Sequence, residues 1–341
     1  MKISFIVAGV VAMAMVPLAV YSQQAPAPRG GGAPRVFNPP SLEGRVASSE
    51  LMTAHIPLAE RIAHTDPSRY NHLPAVHNGS GPMDYMPLND ARRGDKFHLG
   101  SNLLFIHRGV LLPGGGIGEH FHNTTEEMFV IFDGEAEFTI DSHTSVLKGP
   151  AGAPARLGHS HGITNQSKQT VQWMNINVST IPGYYDAFNL DDGRVGAPKD
   201  AIPQFVSMHL DRALLQPWPN LDGGQGTAMY RRALDASVFA SAWSYVDHIL
   251  LPPGASLGPV SRKGMSEVYY VMKGKGEATI GGDTAQIGEG DAVPAAIDES
   301  RAFRNTGTEP LEFMVIGVAK DIPTKKAYMV TADNLKRTGP R

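Results

Sequence analysis

The pattern of hydrophobic and polar positions changes several times along the chain, and the changes divide it. Behind Lys2, Ile3 to Val20 is nearly unbroken apolar sequence. That is the pattern of a secretory signal peptide, expected over residues 1–22 with small residues near Val20-Tyr21-Ser22. Residues 23–40 contain APAPRGGGAPR, which has little apolar surface to bury and is expected to form a disordered linker. Leu51, Ile56, Leu58 and Ile62 recur at roughly helical spacing, predicting a helix within residues 42–63. Residues 64 to 100 carry turn-prone stretches such as TDPS and HNGSGP, so 41–99 is expected to be a helical and loop extension.

Beyond residue 100, apolar and β-branched runs are broken by Gly and Pro turns, as a small antiparallel barrel or jelly roll requires. The pattern then repeats with a shift of 140. GEAEFTI at 134 meets GKGEATI at 274, and VQWMNINV at 171 meets LEFMVIGV at 311. Gly114 meets Gly254, Glu127 meets Glu267, Gly134 meets Gly274, Pro154 meets Pro294 and Asn165 meets Asn305. Ungapped agreement over strands and turns means two copies of one domain. The expected fold class is all-β, with two tandem barrels over 100–180 and 240–320. Residues 181–239 then form an inter-domain segment and 321–341 a C-terminal tail.

The first copy carries the candidate chemistry. In GEHFHNTTEE, His120 and His122 lie two residues apart, so a β-strand aims both imidazoles to one face. Glu127 returns an oxygen after a short loop, and GHSHGITN supplies His161. Imidazole with carboxylate suits one divalent transition ion, with zinc, copper, iron, nickel and manganese left open. In the second copy Val260, Arg262 and Arg301 stand where His120, His122 and His161 stand, and only Glu267 remains. Two guanidinium groups cannot bind a cation. Arg262 and Arg301 are therefore expected to converge on Glu267 as a buried ionic cluster, with binding of an anionic ligand as the sharper alternative. One metal per chain follows.

Other residues are weighed by position. Trp173, Asn175 and Asn177 alternate on one strand, and their counterparts Phe313, Val315 and Gly317 are apolar or lack a side chain. Polar groups confined to the metal-bearing copy point to a substrate face. His107 and Arg108 share a strand, so only one can face the barrel interior; Arg108 joins Trp173, Asn175 and Asn177 as the substrate-binding set. His159 is placed on the barrel rim, Glu126 on the face opposite Glu127, and His143 in an exposed turn.

These residues resemble the cupin superfamily. Gly114, His120, His122, Glu127 and Gly134 match its first motif at every position, and His161 and Asn165 match the end of its second. Arg156 stands in the usual slot of the proline found here at 154. The resemblance implies two jelly-roll cupin barrels, a bicupin, with a metal held by His120, His122, Glu127 and His161. It is most similar to secreted bicupin dioxygenases of the quercetinase type, in which one copy keeps the metal. Oxygenolytic cleavage of an enol or catechol-like substrate chelating the metal is the leading expectation, with Glu127 as ligand and general base. The alternatives are a redox-neutral lyase or isomerase on a sugar or sugar acid, and a non-catalytic periplasmic binding protein.

Composition narrows the setting. Hydrophobic residues at 42% and charged residues at 18% support a sizeable core. The net charge of −3 becomes −4 if Lys2 is removed, which argues against nucleic acid as a partner. With no cysteine, neither a disulfide nor a lipid-anchored leader is available. The expected protein is periplasmic or secreted, takes a small-molecule substrate, and has no membrane contact after leader removal; a homo-oligomer stays open.

Overall fold

The computed structural model describes residues 55–93, 99–192 and 196–338. The expected signal peptide, the linker and residues 42–54 of the expected helix lie outside the described residues. Within reach of that helix is a single turn, Leu58–Arg61, and Ile62 is already extended. Pro57 opens the turn, and the chain leaves it to join a sheet at Ala63–His64. The substantial helices lie at the other end, in what the sequence pattern leaves as a tail: Ile322–Met329 and Ala332–Thr338. Asp321 caps the first by accepting from the Thr324 N–H, and Pro323 sits in the opening turn.

Each copy is a two-sheet barrel, and the eight central strands recur at the expected shift. Thus Leu103–Leu111 returns as Trp243–Leu251, Thr125–Ile131 as Met265–Lys273, and Val171–Ser179 as Leu311–Ala319. Each barrel pairs one seven-stranded sheet with a smaller one, of five strands in the first copy and four in the second. The repeated asparagines make the same contacts in both. The Asn165 amide donates to the Leu111 and Gln169 carbonyls, and the Asn305 amide to those of Leu251 and Glu309.

The repeat is longer than its motifs. Met83–Asp90 and Thr227–Leu234 each extend the large sheet of their own barrel. Farther out, Ala63–His64 pairs with Asp291 and Ala292 of the second barrel, whereas Met208–His209 pairs with Ala151 and Gly152 of the first. Each copy therefore lends its leading strand to the other. A His-x-Asp signature marks both exchange points, His64-Thr65-Asp66 and His209-Leu210-Asp211, and each Asp side chain caps a short 3-10 turn. Residues 181–239 are accordingly shared between the barrels rather than a separate segment.

The two large sheets pack on each other. Ile106, Met128, Met174 and Ile176 of the first share one buried cluster with Val246, Val268, Met314 and Ile316 of the second. The alternate residues face the barrel interiors, where Phe129, Phe138 and Trp173 fill the first and Tyr245, Phe303 and Phe313 the second. Burial of both faces is why these strands read as nearly continuous apolar runs instead of alternating. At ~1.5–3 kcal/mol for each large side chain removed from water, the shared layer holds the two barrels against each other.

Candidate metal centre

Register brings the ligands together. The strand Gly116–Phe121 pairs with Ser160–Thr164 so that His120 lies opposite His161. Val171–Ser179 pairs with Thr125–Ile131 so that Asn177 lies opposite Glu127. One donor atom from each of His120, His122, Glu127 and His161 falls within 4.8 Å of the others, and all four residues are buried. His122 Nε2 is 3.3 Å from His161 Nε2 and 3.3 Å from a Glu127 oxygen.

The surroundings fix the orientation of each ligand. The Nδ1 of His120 is 2.8 Å from the Gly118 carbonyl, and that of His122 bonds the Asp186 carbonyl. Both contacts put the proton on Nδ1 and leave Nε2 as the lone-pair nitrogen. The His120 Nε2 is buried without a hydrogen-bond partner, which a metal ion would supply. Phe129 stacks on the His161 ring at 4.4 Å, and His77 on the His120 ring at 3.8 Å. The Asp186 carboxylate accepts from the N–H groups of Asn123 and Thr124, clamping the loop between His122 and Glu127. Hydrogen bonds of this kind set ligand tautomer and direction in metal proteins.

Electrostatics favour cation binding. Burial pushes His120 well below its ordinary range, and takes His161 down to about 3 despite the pull of Glu127. Burial raises the Glu127 carboxyl, but His122, His161 and the Asn177 and Asn175 amides more than offset it and bring it below the ordinary 4.5. Neutral imidazoles and an ionised carboxylate are the forms that coordinate a metal. The donor set fits a divalent transition ion, with His120, His122, Glu127 and His161 as its holders.

The substrate set is rearranged. Asn175 and Asn177 each donate an amide N–H to Glu127, one to each oxygen, both at 2.7 Å. They position the carboxylate; Asn177 is fully buried, while Asn175 also borders a cavity beside Glu127. That cavity, about 180 Å³, is lined further by Trp173, Phe105, Ile117, His77, His107, Arg92 and Tyr185. Arg108 is not there. Strand alternation turns it to the opposite face, where it donates to the Tyr270 hydroxyl of the second barrel and the Gln172 side chain. His107 faces the cavity instead. Glu126, two-sidedly bonded by the Ala240 and Ser241 N–H groups, ties the barrels together. His159 lies at the exposed rim beside Asp141, and exposed His143 pairs with Asp200.

Three cavity residues, His77, Arg92 and Tyr185, and the neighbouring Asp186 had no motif to announce them. A signal existed for Arg92. Aligning the capped turns after Asp90 and Asp235 sets Arg92 against Ser237, a charge present in the metal-bearing copy alone. Two larger clefts, of about 1,030 and 1,140 Å³, lie at the rim of the second barrel and between the barrels. Neither is lined by any of the four ligands.

In the second barrel the ionic cluster forms. An Arg262 N–H donates to Glu267 at 2.8 Å, and Arg301 pairs with its other oxygen. The Tyr245 and Tyr269 hydroxyls also donate to Glu267. Arg262 continues to Asp222 at 2.7 Å and Asp333 at 3.2 Å, and both acids are shared with Arg337. Burial raises the Glu267 carboxyl, yet Arg301 and Arg262 dominate and hold it at about 2.

Two barrels of one design, one retaining a buried three-histidine, one-glutamate set, define a bicupin. The chain belongs to the cupin superfamily. The cupin domain family matches residues 247–317, in the copy that lacks the histidines. The oxalate-binding protein of Thermotoga maritima is 30% identical over 97 residues, covering 28% of this chain and 80% of that protein. Among solved structures, oxalate decarboxylase from Lactobacillus farciminis superposes with a TM-score of 0.53 at 14% identity, over 81% of this chain and 89% of that one. Salicylate 1,2-dioxygenase from Pseudaminobacter salicylatoxidans gives 0.51 at 14% identity, over 72% and 78%. At such identities the likeness is one of fold, and the fold serves more than one chemistry.

Proposed function

We propose that the chain is an exported, metal-dependent dioxygenase acting on a small enol or catechol-like compound that chelates the ion. The observation that carries the reading is the cavity of about 180 Å³ opening onto Glu127. It is smaller than the ~300–1,000 Å³ of drug-sized ligand sites. A single substituted ring or a short chain fits; a three-ring flavonol does not. Phe105, Ile117 and Trp173 give it flat apolar walls, and His77, Asn175 and Tyr185 give it polar points. Export rests on Lys2 and the apolar run Ile3 to Val20.

When bound, the ion supplies a Lewis-acid or redox centre with coordination positions beyond the four protein ligands. The chain's own residues do the rest. Asn175 and Asn177 lock Glu127, His77 and Phe129 fix two imidazole rings, and the loop carrying Tyr185 and Asp186 closes the approach to His122. All four ligands are buried, and among them Glu127 borders the cavity.

Similarity to an oxalate-binding protein supports a second reading, in which a small carboxylate is bound without oxidation or is cleaved or isomerised without oxygen. Oxygen-electrode measurements on protein loaded separately with iron, copper, manganese, nickel or zinc separate the two. Uptake with catechols, acireductone-like enols or diketones, lost in His120→Ala and His161→Ala, supports the dioxygenase. Full metal loading with binding and no uptake overturns it in favour of the second reading.

A further inference from the structure

Arg92 lines the cavity beside Glu127. Its Nε and one Nη donate to the two oxygens of buried Asp90, both at 2.8 Å. The guanidinium lies over the Phe105 ring at 4.3 Å and the Tyr185 ring at 5.1 Å. Its other nitrogen, Nη1, has no hydrogen-bond partner among the described residues, and neither has the Tyr185 hydroxyl. Both residues line the cavity.

The second barrel is an internal control. Phe105 corresponds to Tyr245, and there too a guanidinium covers the ring: Arg232 at 4.2 Å. It reaches this place from a different strand position and pairs with Asp247, the counterpart of His107. But Arg232 is completed by the C-terminal helices. Its Nη1 donates to the Asn334 Oδ1 at 2.7 Å, and its Nη2 to the Tyr328 hydroxyl at 3.2 Å. Where protein fills the second barrel, an oxygen acceptor faces Nη1. In the first barrel no acceptor among the described residues meets the same nitrogen, and its residue lines the cavity.

We propose that Arg92 Nη1, with the Tyr185 hydroxyl, is the anchor for a carboxylate on the ligand, so that the substrate class is a small hydroxy or enol acid rather than a neutral diol. The inference rests on the preceding reading only in placing the ligand in this cavity. Charge agrees. The Arg92–Asp90 pair is neutral, Glu127 offsets one charge of a divalent ion, and one positive charge remains for a monoanion. A buried carboxylate needs such a charged, hydrogen-bonding partner.

Calorimetry on the zinc-loaded protein tests this, because no turnover is needed. Two matched pairs serve as probes, salicylate with salicylamide and lactate with lactamide. At least one acid is expected to bind about ten-fold or more tightly than its amide, the scale of a charge-assisted hydrogen bond. Replacing Arg92 alone takes from Asp90 its two-pronged partner, so the decisive variant is Asp90→Asn/Arg92→Gln, with Tyr185→Phe beside it. The acid preference should vanish in the double variant and weaken in Tyr185→Phe, with zinc content unchanged. Equal binding of acid and amide, binding of neither, or a preference that survives the double variant would each overturn the anchor. Oxygen uptake on catechol with no acid preference defeats the anchor and leaves the dioxygenase. Acid preference without oxygen uptake does the reverse.

Discussion

The Tyr245 ring occupies the space that a side chain on Gly317 would need: a Cβ built on that glycine overlaps the ring. In the first barrel the same two positions hold Phe105 and Asn177. There Asn177 reaches Glu127 directly. In the second barrel the missing side chain admits the tyrosine, whose hydroxyl takes over the carboxylate of Glu267. In the second barrel Tyr245, Arg262 and Arg301 together hold the carboxylate whose counterpart in the first barrel faces histidines.

It follows that Gly317→Asn will not restore a metal site. The asparagine should collide with Tyr245 and lower stability by about 1–3 kcal/mol, the usual range for overpacking. Denaturant unfolding with parallel metal analysis checks both halves. Unchanged stability would mean that Tyr245 moves freely, against its complete burial.

Glu267→Gln should leave metal content intact and cost ~3–5 kcal/mol, because it leaves Arg262 and Arg301 facing a neutral group inside the barrel. The same carboxylate makes stability depend on pH. Its folded pKa of about 2 is depressed from an ordinary 4.5. Its contribution is therefore fully present above pH 4.5, and is lost as pH falls from there through 2. Denaturation midpoints measured down that range should fall less steeply in Glu267→Gln than in the native chain.

The ligand set and the ionic cluster were legible because both depend on short-range pattern: strand alternation for His120 and His122, and internal repetition for Glu267, Arg262 and Arg301. Arg108 was misplaced because alternation says that His107 and Arg108 face apart, but not which of them faces inward. That is decided by the second barrel, whose Tyr270 receives Arg108. Asn175 and Asn177 were correctly tied to the metal-bearing copy, but a sequence cannot show that their amides point at Glu127. His77 and Tyr185 come from loops distant in sequence, and only packing against the barrel mouth brings them in. The strand exchange was hidden because the exchanged strands, Ala63–His64 and Met208–His209, are two residues long.

Metal analysis at saturation should give close to one ion per chain. His122→Ala should abolish binding and Glu267→Gln should not. A stoichiometry near two would place a second ion where the structure puts guanidinium groups.

Removing the amide that holds a ligand should weaken the metal without removing it. Asn177→Val deletes one of the two hydrogen bonds to Glu127 at a fully buried position. Metal affinity should fall about 10- to 100-fold, the effect of losing a hydrogen bond behind a ligand. Competition with a chelator measures it. Asn175→Val should act in the same direction, and an affinity unchanged in both variants would deny the amides their positioning role.

Glu127→Gln separates holding the ion from taking a proton. Both Glu127 oxygens accept amide N–H groups, from Asn175 and Asn177. A glutamine must turn one of those acceptors into a donor facing another donor. The side chain is then pushed from its place, and metal affinity should fall steeply. Measured at saturating metal, turnover should fall less than about ten-fold if Glu127 chiefly holds the ion. A positioned general base contributes ~100- to 10,000-fold. A loss of that size with the metal fully restored would show that Glu127 also takes the substrate proton, and that one of its amide partners must release it during the reaction. Asn175, which borders the cavity as well as Glu127, is the partner placed to do so. In that case Asn175→Val should raise turnover at saturating metal while Asn177→Val leaves it unchanged.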